Sequence, residues 1–305
     1  MEKISFIIIT YNRPADCMEL LQDISQLENI NALLQDVVIV NNASTSSYEI
    51  VKHFISTAHH LPFIFIDAPS NLGVAQGRNF AANYAKGEIL VFIDDDILIP
   101  NKKLLSAIVN GFKNTNTFVR EIGVVAFKVL YHSTGEMQKT AFPHKNFKAY
   151  KDFSTFLTYY FVGCAHAMKR KVWNEAGNYP PDFFYGMEEY DLSFRVLDMG
   201  YAIQYDASVE LRHKESPLGR KAKAERIKMF WVNKSKVAWK YLPGIYFCST
   251  VLLWSGEYLI KTLFNMKHFI KGWNDIRGIR KTQTRTPVSQ ATLQYLKQVN
   301  ARLWY

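Results

Sequence analysis

Short, nearly continuous apolar runs recur through the first hundred residues of the chain. They lie at residues 4–10, 37–40, 63–66 and 89–93, and they are rich in isoleucine and valine. Runs of this kind are typical of parallel strands that are covered on both faces. The pattern therefore predicts four buried strands in the first third of the chain.

Segments of helical length separate these strands, at residues 16–27, 47–57 and 74–85. In the second segment, Ser47 precedes apolar residues at helical spacing, and we expect it to cap the helix. Alternating strands and helices indicate an open α/β sheet, which binds ligands at the carboxyl ends of its strands. The residues that follow the strands are therefore the candidates for a functional site.

The later part of the chain has a looser pattern. It predicts strands at residues 122–131, 161–168 and 201–211 and a helix at residues 189–199. No repeat or linker interrupts the sequence before about residue 215. We therefore predict one α/β domain over residues 1–220, followed by a basic, aromatic-rich helical region over residues 221–305.

The turn after the first predicted strand reads TYNRP and contains no glycine. A dinucleotide-binding domain has a glycine-rich turn at this point to admit a pyrophosphate. The missing glycines argue against that class, and they also argue against a nucleotidyltransferase with a glycine-rich phosphate loop.

Three consecutive acids, Asp94, Asp95 and Asp96, end the fourth apolar run in the stretch VFIDDDILIP. Adjacent carboxylates near a buried strand repel one another unless a cation or polar groups lie opposite them. Acids on alternate residues of such a loop can bind one divalent cation. A phosphohydrolase of the haloacid dehalogenase type also carries D-x-D after a strand, and it remains an alternative, although its motif usually opens the domain.

The formal net charge of +10 is concentrated late in the chain. Residues 212–240 contain ten lysines and arginines but only two glutamates, whereas acidic and basic residues are mixed before them. This distribution does not favour a nucleic-acid partner, and it indicates a basic segment that faces a membrane surface or phosphate groups. Three cysteines without a CxxC pair and an N-terminus without a signal-peptide pattern predict a cytoplasmic protein.

Residues 244–264 form the most apolar stretch of near-membrane length, but Glu257 and Lys261 interrupt it. About 20 nearly uncharged residues are normally needed to span a bilayer. We therefore predict an interfacial or re-entrant segment, with peripheral contact to the inner face of the cytoplasmic membrane. A buried helix of a C-terminal subdomain is the alternative.

Five motifs in order resemble the family 2 glycosyltransferases, the inverting enzymes of the GT-A fold that use nucleotide-sugars. They are ISFIIITYNRP, VVIVNNAST, NLGVAQGRNFA, VFIDDDI and FFYGMEEYDLSFRVLDMGYAI, which together run from the first strand to the last predicted one. The resemblance extends to bacterial rhamnosyl- and galactosyltransferase-like enzymes of polysaccharide biosynthesis. It implies a GT-A, Rossmann-like, mostly parallel sheet and transfer of a hexose or deoxyhexose to a saccharide or lipid-linked saccharide.

The resemblance also implies roles for individual residues. Asp96, with Asp94 and His213, matches the positions that hold a divalent metal, Mn or Mg, and Asp95 supports them. The general base is expected within Glu188, Glu189 and Asp191. Here Glu189 stands where relatives have Asp, so Glu188 and Glu189 both remain candidates for the base. Without the resemblance, these acids would be read as first-turn residues that complement a helix dipole.

The donor is expected to be a UDP-, dTDP- or GDP-sugar that contacts residues after the strands. The resemblance assigns this contact to Thr10, Asn12, Arg13, Asn41, Arg78, Asp94 and Asp95. Asn41 replaces the Asp with which relatives commonly meet the nucleobase, so the choice of base stays open. A catalytically silent, membrane-bound partner with the same fold is the competing hypothesis, and the oligomeric state is left open.

Overall fold

The computed structural model describes residues 2–59, 61–113, 120–218 and 221–304. The strands are β1 (Ile4–Thr10), β2 (Leu34–Asn41), β3 (Phe63–Asp67), β4 (Ile89–Asp94), β5 (Ile97–Leu98), β6 (Ile122–Tyr131), β7 (Thr155–Thr158), β8 (Ala165–Lys169) and β9 (Ala202–His213). The predicted domain boundary at residue 220 lies outside the described residues.

Nine strands form one sheet in the order β3-β2-β1-β4-β8-β6-β9-β5, and β7 also pairs with β9. The strands β1 to β4 are parallel to one another, as their unbroken apolar runs predicted. β8 runs antiparallel between β4 and β6, whereas β6 and β9 are parallel. The predicted α/β class is confirmed, with parallel pairing in the first half and mixed pairing in the second.

Twelve α-helices lie among the described residues. They are α1 (Pro14–Ser25), α2 (Ile30–Leu33), α3 (Glu49–Thr57), α4 (Gly73–Ala82), α5 (Leu104–Gly111), α6 (Phe147–Tyr150), α7 (Arg170–Ala176), α8 (Glu188–Asp198), α9 (Lys223–Tyr241), α10 (Gly244–Lys261), α11 (Met266–Thr282) and α12 (Gln290–Gln298). The N-cap residue of α3 is Tyr48, one residue after the predicted Ser47. The Oγ atom of Ser47 accepts a hydrogen bond from the backbone amide of Glu49.

The core lies on both faces of the sheet because side chains alternate along each strand. Phe6 and Ile8 of β1 pack with α1, α3 and α5 on one face. Ile7 of β1 and Phe92 of β4 pack on the other face, where α4, α7, α8 and the C-terminal helices lie. The C-terminal helices therefore share a continuous hydrophobic core with the sheet.

One predicted strand is much shorter in the structure. The apolar run at residues 161–168 was predicted as one strand, but β8 begins only at Ala165. Phe161 lies before the strand, and it is buried because its ring packs on the His166 ring. The predicted interfacial segment is the helix α10, and no described helix is long and apolar enough to cross a membrane.

Candidate active site at the strand ends

A cavity of about 820 Å³ opens at the carboxyl ends of β1 and β4. Two groups of acids face each other across it: Asp94, Asp95 and Asp96 after β4, and Glu188 and Glu189 at the start of α8. Both groups were predicted from sequence to belong to one site. The structure brings them together because α8 returns the chain to the edge at which the parallel strands end.

Asp94, Asp96 and His213 form a cluster that could hold a metal ion. Their ligand atoms all lie within 4.8 Å of one another. His213 ends β9 and pairs across the sheet with Ile97, the first residue of β5. The short strand β5 therefore brings a histidine from the end of the domain to the acids that follow β4.

The surroundings of His213 and Asp96 fit a cation. The Nδ1 atom of His213 lies 3.0 Å from Oε1 of Gln138, which leaves Nε2 facing Oδ1 of Asp96 at 3.2 Å. That Oδ1 atom is buried and has no hydrogen-bond partner among the described residues. Burial lowers the pKa of His213, but Asp96 and the Cys164 thiol outweigh it and raise this pKa to about 11. In this geometry a proton provides the positive charge that a divalent ion would bring.

Arg13 neutralises the middle of the acidic run. One guanidinium nitrogen lies 2.9 Å from Asp95 and 3.2 Å from Asp96. The other two nitrogens donate to the carbonyls of Ser216 and Leu218, at 3.0 and 2.9 Å. Burial raises the pKa of Asp95 to about 7, and Arg13 limits this rise. Arg13, predicted to contact the donor, lines the cavity but uses its donors within the protein.

Arg78 connects the two groups of acids. Its guanidinium lies 2.8 Å from Asp94 and 3.4 Å from Glu188, and it donates to the Gly163 carbonyl at 2.6 Å. The side chain is almost fully buried. A buried arginine beside two carboxylates fixes their separation, so Arg78 sets the width of the site between the metal cluster and α8.

Glu188 and Glu189 differ in their exposure. Glu188 is buried, and its Oε2 atom has no hydrogen-bond partner among the described residues. Glu189 is half-buried and also faces the cavity. Burial raises the pKa of both carboxyl groups, and the negative charge of Glu189 raises that of Glu188 further. The single charge of Arg78 does not compensate for both.

Gly163 provides the space that the Glu189 carboxyl group occupies. A Cβ atom at this position would lie 2.1 Å from Oε1 of Glu189 and 3.0 Å from the Arg78 guanidinium. No heavy atom tolerates such a contact. The glycine is therefore needed for the position of both side chains.

Two residues predicted to contact the donor instead support the loops. Thr10 is buried, and its hydroxyl lies 2.6 Å from that of Tyr48. Asn12 accepts hydrogen bonds from the amides of Thr45 and Ser46, at 2.8 and 3.1 Å. Both side chains lie behind the cavity wall, because these loops after β1 and β2 need internal partners for their backbone groups.

Asn41 lies beyond the cavity wall at the end of β2. It donates to Asp67 Oδ1 at 2.7 Å, and its own oxygen accepts from the Ser44 amide. Asp67 ends β3 and is exposed. The sheet register aligns Asn41 with both Thr10 and Asp67, so a polar row runs along this edge. The sequence placed Asp67 among the polar residues at the strand ends but assigned it no role in the site.

The structure separates Asp191 from the two glutamates. Its side chain is fully buried and contacts Arg195, at 3.0 Å, and Lys240 of α9. Asp191 follows Glu188 by three residues but points toward the helix layer. Asp191 does not line the cavity and joins α8 to α9, so its expected catalytic role stays a prediction without support from its position.

Sequence reasoning missed several other residues of the cavity wall. Gln138 orients His213, and Phe184, Arg226 and Phe230 also line the cavity. Arg226 and Phe230 are one turn apart on α9, within the basic segment that the sequence singled out. The Arg226 Nε atom is buried without a hydrogen-bond partner in the described part of the chain. The basic composition was a signal, but it did not indicate which residue reaches the cavity.

The chain is similar in sequence to other bacterial proteins. A protein of Haemophilus influenzae with no assigned function is 31% identical over 180 residues, which are 58% of this chain and 92% of that protein. The uncharacterized glycosyltransferase YfnE of Bacillus subtilis is 24% identical over 263 residues, 70% of this chain and 65% of its own length.

Solved structures share the fold at low identity. A mannosyltransferase of Pyrobaculum calidifontis, in complex with GDP-Man and Mn²⁺, matches 97% of this chain and 79% of its own with a TM-score of 0.59 and 19% identity. TarS residues 1–349 of Staphylococcus aureus, in complex with UDP, match 91% of this chain and 80% of their own with a TM-score of 0.60 and 15% identity. These matches confirm the predicted GT-A fold.

The family model "Glycosyl transferase family 2" matches residues 5–177, which is more than half of the chain. The matched range contains β1 to β4, the three aspartates and Arg78. It excludes a haloacid dehalogenase-type phosphohydrolase as the family. The chain therefore belongs to glycosyl transferase family 2.

Proposed function

We propose that this glycosyltransferase moves a hexose or deoxyhexose, with inversion, from a nucleotide-sugar to a hydroxyl group of a saccharide or lipid-linked saccharide. The observation that carries the proposal is the single cavity that contains both a metal-type cluster and a pair of glutamates with raised pKa values. Inverting transfer needs a stabilised leaving group on one side of the sugar and a base on the other.

On the donor side, Asp94, Asp96 and His213 are the proposed ligands of Mn²⁺ or Mg²⁺. The Oδ1 atom of Asp96, which is buried against His213 and accepts no well-aligned hydrogen bond from the described residues, supports this assignment. When bound there, the ion would offset the negative charge that develops on the leaving diphosphate. Arg226 projects a buried, unpaired Nε atom into the same cavity, and we assign it to the diphosphate as well.

On the acceptor side, we assign the general base to Glu189. Its half-buried carboxyl group lies at the cavity surface, where an acceptor hydroxyl could reach it. Glu188 is buried against Arg78 and is the proposed positioning residue. Arg78 in turn holds Asp94, so a shift of Glu188 would be transmitted to the metal cluster.

The nucleobase is proposed to lie along the edge that Asn41 and Asp67 form. An amide and a carboxylate offer both donors and acceptors to a base edge, which suits uracil, thymine or guanine. The solved neighbours were obtained with GDP-Man and with UDP. Binding of UDP-, dTDP- or GDP-sugars is therefore the first property to compare.

The acceptor and its place in the cell complete the proposal. The proposed enzyme is cytoplasmic, acts in cell-envelope polysaccharide synthesis and contacts the membrane peripherally. The basic excess and the aromatic-rich helices after α8 support the membrane contact. The silent-partner alternative would be favoured by loss of the aspartates or of the glutamate pair, and the chain retains both.

Calorimetry with UDP-, dTDP- and GDP-sugars, in the presence and absence of Mn²⁺, tests the proposal. We expect at least one donor to bind about tenfold or more tightly with the metal, because the ion neutralises the diphosphate beside the aspartates. A product analysis that shows the opposite anomeric configuration then tests inversion. Equal affinities with and without metal for every donor would contradict the proposal.

A further inference from the structure

Apolar side chains are exposed along the outer side of α10 and on the turn that follows it. We call this surface the apolar face; it consists of Ile245, Leu252, Leu253, Ile260, Leu263 and Phe264. The four helical members form two pairs seven residues apart, Ile245 with Leu252 and Leu253 with Ile260, and the two pairs lie on neighbouring strips of one side of α10. The opposite side, with Phe247, Val251 and Tyr258, is buried. Single apolar residues scattered over a surface are ordinary, but these residues adjoin one another. A contiguous exposed apolar patch of this kind indicates an interaction surface.

The turn displays its two apolar residues at a conformational cost. Leu263 and Phe264 both have positive φ angles, of 51° and 60°. Side chains with a Cβ atom rarely adopt this left-handed region, which glycine or asparagine would occupy more easily. Leu263 is nevertheless 88% exposed and Phe264 67% exposed. The chain therefore places two large hydrophobic groups at the tip of the α10–α11 hairpin, where no described residue covers them.

The charges around the apolar face are positive. Residues 244–274 contain Lys261, Lys267 and Lys271 but only one acid, Glu257, which pairs with Lys261 at 2.8 Å. Lys267 and Lys271 are exposed and form no ion pair with the described residues. They begin α11, directly beyond the exposed turn. The apolar face is thus bordered by free positive charge, which matches an anionic surface.

The basic run at residues 212–240 behaves differently. Lys228 pairs with Asp275, Lys236 with Asp182 and Lys240 with Asp191. Lysines that are already paired within the protein have little charge left for headgroups. Part of the positive charge available to a membrane therefore lies around α11, outside the run that the sequence singled out.

The exposed turn lies beside the first turns of α9. Trp239 of α9 packs on Phe247 early in α10, and Trp231 packs on Tyr258 late in α10. The two helices are therefore antiparallel, and the end of α10 returns to the beginning of α9. The first turns of α9 carry Arg226, which lines the cavity. A surface that holds the turn would present its own components to the active site.

We propose that the apolar face docks flat on an anionic lipid bilayer, with Leu263 and Phe264 inserted between the headgroups and with Lys267 and Lys271 on anionic lipids. Apolar insertion and headgroup attraction together anchor a peripheral protein, whereas either alone usually does not. The lipid surface is inferred from the face itself. Only its use, to deliver a lipid-linked acceptor to the cavity, rests on the proposed function.

Flotation of the 305-residue chain with vesicles tests the docking. Vesicles of phosphatidylcholine alone are compared with vesicles that contain about 30% phosphatidylglycerol. We expect binding to the anionic vesicles that weakens as salt rises. The double variant Leu263→Asn, Phe264→Asn keeps residues that tolerate positive φ and should bind at least about tenfold more weakly. Phe153→Asn changes another exposed aromatic residue, 52% exposed and outside the apolar face; it is the control and should bind like the parent chain.

The lysine contribution is measured separately. Lys267→Glu and Lys271→Glu should each weaken binding to anionic vesicles by about fivefold or more, with little effect on neutral ones. Cys248 gives a second readout, because it is exposed on α10 whereas Cys17 and Cys164 are buried. An environment-sensitive fluorophore on Cys248 should shift to the blue when anionic vesicles are added, as expected if α10 lies flat.

Three results would overturn the proposal. One is a chain that stays unbound to anionic vesicles at low salt while it still binds a nucleotide-sugar, which leaves the proposed function intact. Another is a fluorophore on Cys248 that remains unshifted. The third is an oligomer that the Leu263→Asn, Phe264→Asn variant dissociates without any loss of vesicle binding, because the face would then join two copies of this chain.

Discussion

The two groups of acids that face each other across the cavity are balanced differently. Asp94, Asp95 and Asp96 lie among three cationic side chains, Arg13, Arg78 and His213. Glu188 and Glu189 share only Arg78. Burial raises the pKa of the whole pair, whereas His213, Arg13 and the Ser216 amide overcome burial and hold the pKa of Asp96 below its usual value.

This difference indicates two kinds of chemistry. Asp96, whose pKa is lowered, loses little by remaining charged and therefore suits a cation, whereas Asp95, whose pKa rises to about 7, lies outside the metal cluster. Carboxyl groups whose ionisation is opposed can accept a proton with a larger driving force, which suits a general base. Arg78 joins the two groups through Asp94 and Glu188, so variants of Asp96 and Glu189, which form no ion pair with Arg78, test each group separately.

Replacement of the proposed base should have the largest effect on turnover. We expect Glu189→Gln to lower the rate of transfer by up to about 10⁴-fold, because a glutamine cannot accept the acceptor proton. Affinity for the donor should change little. Glu188→Gln is the matched control and should retain more activity than Glu189→Gln. If Glu188→Gln were instead the slower enzyme, the general base would be Glu188.

Removal of a proposed metal ligand should have the next largest effect. Asp96→Asn is expected to lower transfer by about 10³-fold, since it removes one of the charges that hold the cation at the leaving diphosphate. Asp95→Asn, which also loses a contact with Arg13 but lies outside the metal cluster, should lose clearly less. Equal losses would show that the Arg13 contacts, not a metal, explain the effect.

A methyl group at Gly163 should impair both groups of acids at once. The Cβ atom would displace Glu189 and press on Arg78. Displacements of about 1 Å in a catalytic group can cost about 10²-fold in rate, which we expect for Gly163→Ala. Gly278→Ala on α11 is the control, because its Cβ would meet no atom within 4 Å. A Gly163→Ala enzyme of normal activity would contradict the described position of Glu189.

The smallest expected effect concerns pH. Because the folded protein raises the pKa of Glu189, this group takes up its proton at a higher pH than an ordinary glutamate, and kcat/KM should fall as pH decreases through that raised pKa. Glu188, whose pKa rises to about 8, is already protonated in this range, so Glu188→Gln should leave the acidic limb of the profile nearly unchanged. Loss of the acidic limb in Glu188→Gln would oppose the assignment.

The sequence predicted elements best where burial alone decides the residue type. β1 and β6 have the predicted bounds, because each strand is apolar along almost its whole length. The run at residues 161–168 was misread because Phe161 is buried beneath the site without belonging to a strand. A run of apolar residues shows that a segment is buried, but a buried segment need not be a strand.

The sequence predicted which residues belong to the candidate site, but it did not predict which other residues their side chains contact. Arg13 was assigned to the donor because it follows β1, yet its nitrogens bind carbonyls more than 200 positions away in the sequence. Asp191 was grouped with the glutamates through the family resemblance, but Lys240 of α9 pairs with it in the helix layer. Pairings of this range depend on the packed fold, which spacing along the chain does not reveal.

The central claim is that the aspartates serve the metal-bound donor and the glutamates serve the acceptor. Calorimetric titration of the donor with Mn²⁺ into Asp96→Asn and Glu189→Gln, under one set of conditions, tests it most directly. We predict that the tightening of donor binding by Mn²⁺ is lost in Asp96→Asn and retained in Glu189→Gln. Loss of the metal effect in both variants, or its retention in both, would contradict the division of roles between the two groups of acids.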